Sequence, residues 1–166
     1  MNLPEGWLSE EEAKELRRLA AGKRVLELGA WKGRSTVAMA DVARYIVSVD
    51  RHQGIEGIEY SESLLDYLGA VRELENVAIV IASFQEIVPL LSQDFDMVFV
   101  DGDHDAMSAE KDATLAYKHV HEEGVVVFHD WDFQSVRTGV SRVFGKSKPN
   151  ALVGSIASFQ MKSFFE

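Results

Sequence analysis

No cysteine occurs among the 166 residues, which excludes disulfides, thiolate metal sites and a cysteine nucleophile together. Any metal must then be held by oxygen or imidazole. Cationic side chains are in deficit: 17 Lys and Arg against 27 Asp and Glu leave a formal net charge of -10. Those basic residues are scattered, whereas binding to phosphate backbones needs them grouped, so no nucleic-acid partner is expected. No apolar run approaches the roughly 18 residues of a membrane span. Residues 1–15 read acidic rather than basic-then-apolar, unlike a secretory signal. No membrane partner is therefore expected, and a cytoplasmic location is the default. Repeats, low-complexity tracts and dividing linkers are also missing. The expectation is a single domain over 1–166, long enough to bury about two-thirds of its unfolded surface.

What is present is one alternating series of elements. Ser9 and Glu12 form a capping box for a helix over about 9–20, which Gly22 ends. Strands are predicted at Arg24 to Gly29, Tyr45 to Asp50, Val77 to Ala82, Asp96 to Asp101 and Gly124 to His129. Between them lie helices A (about Arg34 to Arg44), B (about Ser61 to Leu74), C (about Gln85 to Leu91) and D (about Ala109 to His121). Helix B shows Leu64, Leu65, Leu68 and Val71 on one face. The fourth and fifth strands are near-continuous apolar runs, the mark of parallel strands covered on both faces. A C-terminal helix, about Phe133 to Phe144, precedes Ala151 to Phe164, read as two short antiparallel edge strands with Ala157 near the turn. That edge is apolar enough to pair with a second copy in a homo-oligomer, and a hairpin inside the fold explains it equally. The fold class is thus α/β, a Rossmann-like doubly wound sheet, mostly parallel, with an antiparallel C-terminal edge hairpin. The core is expected over about 23–130 and the C-terminal helix and hairpin over about 132–164. Ligands of such sheets sit beyond the strand carboxyl ends.

The stretch VLELGAWKGRST, from Val25 to Thr36, is the most informative. Gly29 and Gly33 let the backbone turn tightly and approach a ligand, and the following helix aims free N–H groups at the site. Glu27 is an acceptor, and Asp50, closing the second strand, suits the two hydroxyls of a ribose. The spacing is Gly-x-x-x-Gly, without the middle glycine that clears room for a pyrophosphate. A ligand with a ribose and no pyrophosphate fits, and S-adenosylmethionine is such a ligand. The plain alternative is a strand-to-helix turn with no ligand.

Further chemistry lies after strands four and five, in Asp101-Gly-Asp103-His104 and His129-Asp130. Neighbouring strands are about 4.8 Å apart, so Asp101 and Asp130 can converge on one hard cation. Successive strand residues point to opposite faces, so His129 joins Asp130 only if the chain turns there. Metal contact and a place in the core both stay open for it. His104, in a loop after a glycine, is the candidate base, since a histidine's ordinary pKa of about 6.5 suits proton abstraction. Ordering the loop is its alternative. Asp103 reads as a cap or a partner of the ligands. His119 and His121 read as structural, and nothing demands a role for His52.

These stretches, with VSVD, FDMVFVDGDH and EGVVVFHD, resemble the class I S-adenosylmethionine-dependent methyltransferases. Within them the chain is similar to the small-molecule O-methyltransferase group with an Asp-Gly-x-His motif after strand four. That group includes macrocin and mycinamicin sugar O-methyltransferases and cephalosporin-hydroxylase-like proteins. The resemblance covers about Lys23 to Lys162. It implies Glu27, Gly29, Ala30 and Gly33 around the methionine part of S-adenosylmethionine, with Ser35 or Thr36 close by. Asp50, with Arg51 beside it, would meet the ribose, and Ser83 and Phe84 the adenine. Asp101 would serve cofactor and metal alike, Asp130 the metal, and His104 the acceptor proton. His129 stands where relatives often carry an acid, which leaves Mg2+ and Mn2+ both open as the metal.

The implied reaction is methyl transfer to an oxygen of a hydroxylated small molecule, with a sugar or catechol suited to chelating a divalent ion. Trp31 and Trp131 line the pocket or pack. Only the first helix and the loop Arg51 to Tyr60 are at hand as lids. Two other classes compete. A nicotinamide-dependent oxidoreductase lacks its middle glycine here, and a non-catalytic cofactor-binding or assembly protein shares the fold.

Overall fold

The computed structural model describes residues 3–53, 63–91 and 95–164. Seven strands form one sheet in the order β3-β2-β1-β4-β5-β7-β6. They are β1 (Arg24–Leu28), β2 (Tyr45–Asp50), β3 (Val77–Ile81), β4 (Phe95–Val100), β5 (Val120–Phe128), β6 (Ala151–Val153) and β7 (Ile156–Gln160). The first five run parallel, and β7 pairs antiparallel with both β5 and β6. The helices are α1 (Glu10–Ala20), α2 (Arg34–Ala40), α3 (Ser63–Val71), α4 (Phe84–Ile87), α5 (Ala106–His119) and α6 (Gln134–Phe144).

Alternation along the strands sorts the core into two layers. Val25, Met97, Phe99, Val125 and Val127 pack with Leu16 and Leu19 of α1 and Met39 of α2. Their neighbours Leu26, Leu28, Val98, Val100, Val126 and Phe128 pack with Ala113 and Ala116 of α5 and Val136, Val140 and Phe144 of α6. Both faces are covered by helices, as the near-continuous apolar runs demand.

Five expectations are corrected by the structure. The α3 face that packs is Ser63, Tyr67 and Val71, while Leu65 and Leu68 are exposed; the Tyr67 ring lies over Gly33 and against His52, and so sets the buried side. Helix D ends at His119, and His121 belongs to β5, whose Val120 pairs with Phe95. The same helix starts at Ala106, capped by Asp105, whose carboxylate accepts from Met107 N and Ser108 N at 3.0 and 3.1 Å. Asp103 is therefore not the cap; it pairs with Arg51 at 3.7 Å. The C-terminal hairpin turns at Gly154 and Ser155, between the paired Val153 and Ile156, and Ala157 lies inside β7 opposite Phe128. Helix B's first two residues and most of the Arg51 to Tyr60 loop lie outside the described residues. The pairing partner of the C-terminal edge is β5 of this same sheet.

Glu12 joins three parts of the molecule. Its Oε2 accepts from Ser9 N at 2.8 Å, completing the capping box, and its Oε1 accepts from Ser155 N and Oγ at 2.6 and 2.8 Å. Burial raises its pKa, but the donors on Ser9 and Ser155 outweigh this and hold it below the ordinary value.

Candidate active site

A cavity of about 790 Å³ opens beyond the carboxyl ends of all five parallel strands. Its wall is Gly29 to Trp31 after β1, Asp50 to Gln53 after β2, Ser83 to Gln85 after β3, Asp101 to His104 after β4, and His129 and Asp130 after β5.

The β1 turn is tight because Gly29, at φ 95°, presses against the backbone of the next strand. A Cβ there would collide with the carbonyl oxygen of Asp101, so no other residue fits. Asp50 secures the turn from below. Its Oδ2 accepts from Ala30 N at 2.8 Å and Trp31 N at 2.9 Å, and its Oδ1 from His52 N at 2.7 Å. A carboxylate has about four lone-pair positions, so capacity remains for about one further donor.

Glu27 lies behind this wall. It is fully buried and faces α2, accepting from Ser35 Oγ, Thr36 Oγ1 and Ser48 Oγ, each at 2.6 Å. Burial pushes its pKa up to about 7, the three hydroxyls opposing this and the Asp101 charge adding to it. Glu27, Gly33 and Thr36 thus shape the turn from outside the cavity. Ser35 reaches the cavity wall together with Ala30, Arg51, Ser83 and Phe84. Gly33, at φ 86°, is the left-handed N-cap of α2.

The β5 end holds a compact group of acids and imidazoles. Asp130 has φ 55°, so the chain does turn after His129. His104 Nε2 lies 2.8 Å from Asp130 Oδ2, and its ring stacks on Phe133 with centroids 4.9 Å apart. His129, 6% exposed, places Nδ1 3.0 Å from Asp130 Oδ2 and 3.3 Å from Asp101 Oδ1, with Nε2 3.9 Å from Glu12 Oε2. Neither ring nitrogen makes an aligned hydrogen bond, so these are ion-pair contacts. Burial favours the neutral ring, but the two carboxylates outweigh it and raise the imidazole's affinity for a proton. Asp130 is correspondingly held below its ordinary value, burial opposing and the His129 and His104 rings prevailing.

The donor atoms of Asp101, His104 and Asp130 lie within 4.8 Å of one another. Bonds of about 2.1 Å to one octahedral ion place ligand atoms about 3 Å apart in neighbouring positions and about 4.2 Å apart across it, so these oxygen and imidazole donors are of the kind that holds a small divalent cation and stand near that span. His104 is the third donor of this set, and His129 Nδ1 stands 3.0 and 3.3 Å from the same two carboxylates. His129 meets the two carboxylates from the buried side, as a group that orients ligands does.

A segment with no motif also reaches the cavity. Gly6, Trp7 and Leu8 line it, because Arg34 donates to Pro4 O at 2.7 Å and Leu8 O at 2.6 Å, and Trp7 stacks on Trp31 with centroids 4.3 Å apart. Trp131 packs instead on Phe128 and Phe159. Gln85 and Asp112 were likewise not singled out from sequence: they lie within helices, and their meeting depends on how α4 packs on α5.

The sheet order, with its antiparallel seventh strand, and a cavity across the strand carboxyl ends define a class I methyltransferase fold. A family model described as a methyltransferase domain matches residues 26–131, and the chain belongs to that family. The O-methyltransferase hkm8 of Aspergillus hancockii is 27% identical over 112 residues, which is 65% of this chain and 42% of that protein. The chain thus matches less than half the length of that relative. Two solved structures share the fold. The O-methyltransferase TomG of Streptomyces achromogenes, in complex with SAM, superposes with a TM-score of 0.70 at 20% identity over 92% of this chain and 80% of that one. An O-methyltransferase of Bacillus cereus, in complex with SAH, gives 0.70 at 17% identity over 96% and 84%.

Proposed function

We propose that this protein is an S-adenosylmethionine-dependent methyltransferase acting on a hydroxyl oxygen of a small molecule. The observation that carries the reading is the cavity in which Asp50, the bare Gly29 turn and Asp101 face the same space as the His104 and Asp130 pair. When bound, S-adenosylmethionine supplies an electrophilic methyl carbon, so what remains for the protein is alignment and proton removal. Asp50 accepts from the ribose at the lone-pair position that Ala30, Trp31 and His52 leave free. Gly29 admits the methionine part against its backbone, and Ala30, Arg51, Ser83 and Phe84 flank the nucleoside. His104, in the tautomer that donates from Nε2 to Asp130, leaves Nδ1 to accept the acceptor's hydroxyl proton. Asp130 then stabilises the imidazolium so formed.

Asp101 and Asp130, with His104 beside them, would hold Mg2+ or Mn2+, which when bound lowers the pKa of a coordinated hydroxyl. A sugar or catechol, with vicinal hydroxyls, is the acceptor class this arrangement suits.

Calorimetric titration of S-adenosylhomocysteine, with and without Mg2+ or Mn2+, tests the reading. Micromolar binding that weakens at least about a hundredfold in Asp50→Ala is expected, since hydrogen bonds to a charged group are at stake. Metal-dependent heat would support the Asp101 and Asp130 site. No binding under any condition would overturn the cofactor assignment and favour a non-catalytic protein on this fold.

A further inference from the structure

A second cavity, of about 280 Å³, lies between α6 and β7 and shares no lining residue with the large one. Its floor is aromatic. Phe144 and Phe159 are buried with centroids 5.2 Å apart, and the partly buried Trp131 ring lies 5.4 Å from Phe159. Arg137, Ser141 and Lys146 border the same space, and no Asp or Glu does among the described residues. The sequence around it reverses the sign of the chain: residues 134–165 carry five Lys and Arg and no Asp or Glu, in a protein of net charge -10. Of those five cations only Arg142 meets a carboxylate among the described residues, Glu110 at 2.8 Å. Arg137 donates to Trp131 O and, at 3.0 Å, to Gln134 Oε1, which leaves three of the five N–H groups of its guanidinium for another acceptor.

An aromatic floor with unpaired cations at its rim defines the chemistry of what fits. A flat ring finds aromatic partners for its faces and edges, and a carboxylate finds charge-assisted donors. The surplus of acids elsewhere repels a small anion from most of the surface, so the local field favours this face. Cavities that take drug-sized molecules run to about 300–1,000 Å³, so this one suits a ligand of one or two rings. We propose that the cavity between α6 and β7 binds a small aromatic carboxylate, its ring against Trp131 and its carboxylate between Arg137 and Lys146. This site stands apart from the cofactor cavity and does not depend on how that cavity is read.

The test titrates the full chain with cinnamate and follows the indole N–H signals of its three tryptophans by NMR, that of Trp131 being assigned by its loss in Trp131→Phe. A saturable shift of the Trp131 signal with a Kd of about 5 mM or tighter is expected, an ordinary affinity for so small a ligand. Cinnamyl alcohol, of the same shape without the charge, should bind at least about fivefold more weakly. Arg137→Gln and Lys146→Gln should each weaken cinnamate binding about threefold or more. Lys146 is exposed and makes no ion pair among the described residues, so its variant leaves the fold intact and decides the matter should Arg137→Gln not fold. No saturable shift at Trp131, equal binding of the alcohol, or affinity unchanged in Lys146→Gln would overturn the proposal. A shift confined to Trp7 and Trp31 would place the acid in the large cavity and overturn it equally.

Discussion

At the level of single residues, the site divides into groups that face the cavity and groups that hold them. Asp50 lines the cavity and also pins the β1 turn, accepting from Ala30 N and Trp31 N. Glu27, buried behind the wall, accepts from three hydroxyls. Adjacent acids near a glycine turn look alike in sequence, and only the side on which α2 packs separates their roles. His104 is a cavity group whose orientation comes from Asp130 and whose face rests on Phe133. Replacement of His104 by Gln removes the proposed proton acceptor while keeping a polar side chain of similar reach. We expect kcat to fall about 10²- to 10⁴-fold, with S-adenosylhomocysteine affinity within about threefold of wild type, measured by product release and calorimetry. A matched loss of cofactor affinity would instead make His104 a binding group.

At the level of elements, the parallel strands were legible because both faces are buried and their apolar runs are unbroken. The ends of β1, β2, β4 and β5, and with them the positions of Asp50, Asp101, His104 and Asp130, followed directly. Helix α3 was not legible in the same way. Its leucines satisfy a helical period, yet Tyr67 is drawn into the space over Gly33, and one large ring outweighs a stripe of smaller side chains. The register of β5 was hidden too, because Val120 belongs by pattern to the helix before it and by pairing to Phe95. Gln85 and Asp112 meet across two helices, a contact without a local signature. Besides its apolar face, the N-terminal helix is tied to the β6 to β7 turn through Glu12, which caps α1 and accepts from Ser155. Glu12→Ala leaves those backbone donors without partners. It should lower unfolding free energy by about 2 to 4 kcal/mol in urea titration with an unchanged slope, and a loss under about 0.5 kcal/mol would show that α1 docks through its apolar face alone.

For the molecule as a whole, the buried acids and His129 set how stability depends on pH; burial opposes charging of His129 but Asp101 and Asp130 prevail, so its contribution is present below its unfolded value and is lost as pH rises above it. Glu27 and Asp112 have folded-state pKa values raised to about 7. Their contribution is fully present below their unfolded values and is lost as pH rises through about 7. Glu12 and Asp130 are lowered, so theirs is present above their unfolded values and lost as pH falls. Unfolding free energy should therefore peak near about pH 5 and decline towards pH 8. Glu27 accounts for at most about 4 kcal/mol of the decline, taking about 1.4 kcal/mol per pKa unit. Urea midpoints measured from pH 4 to 9 should show a visibly shallower neutral limb in Glu27→Gln, and identical limbs in the two proteins would rule this origin out. One further consequence concerns light rather than heat. Two of the chain's three tryptophans form the stacked pair Trp7 and Trp31 at the cavity rim, with Lys32 5.0 Å from the Trp31 ring centroid. At 4.3 Å their indole transitions couple, so the chain's ultraviolet circular dichroism carries an exciton signal from the segment beside the cavity, a built-in optical reporter of whether that segment stays in place.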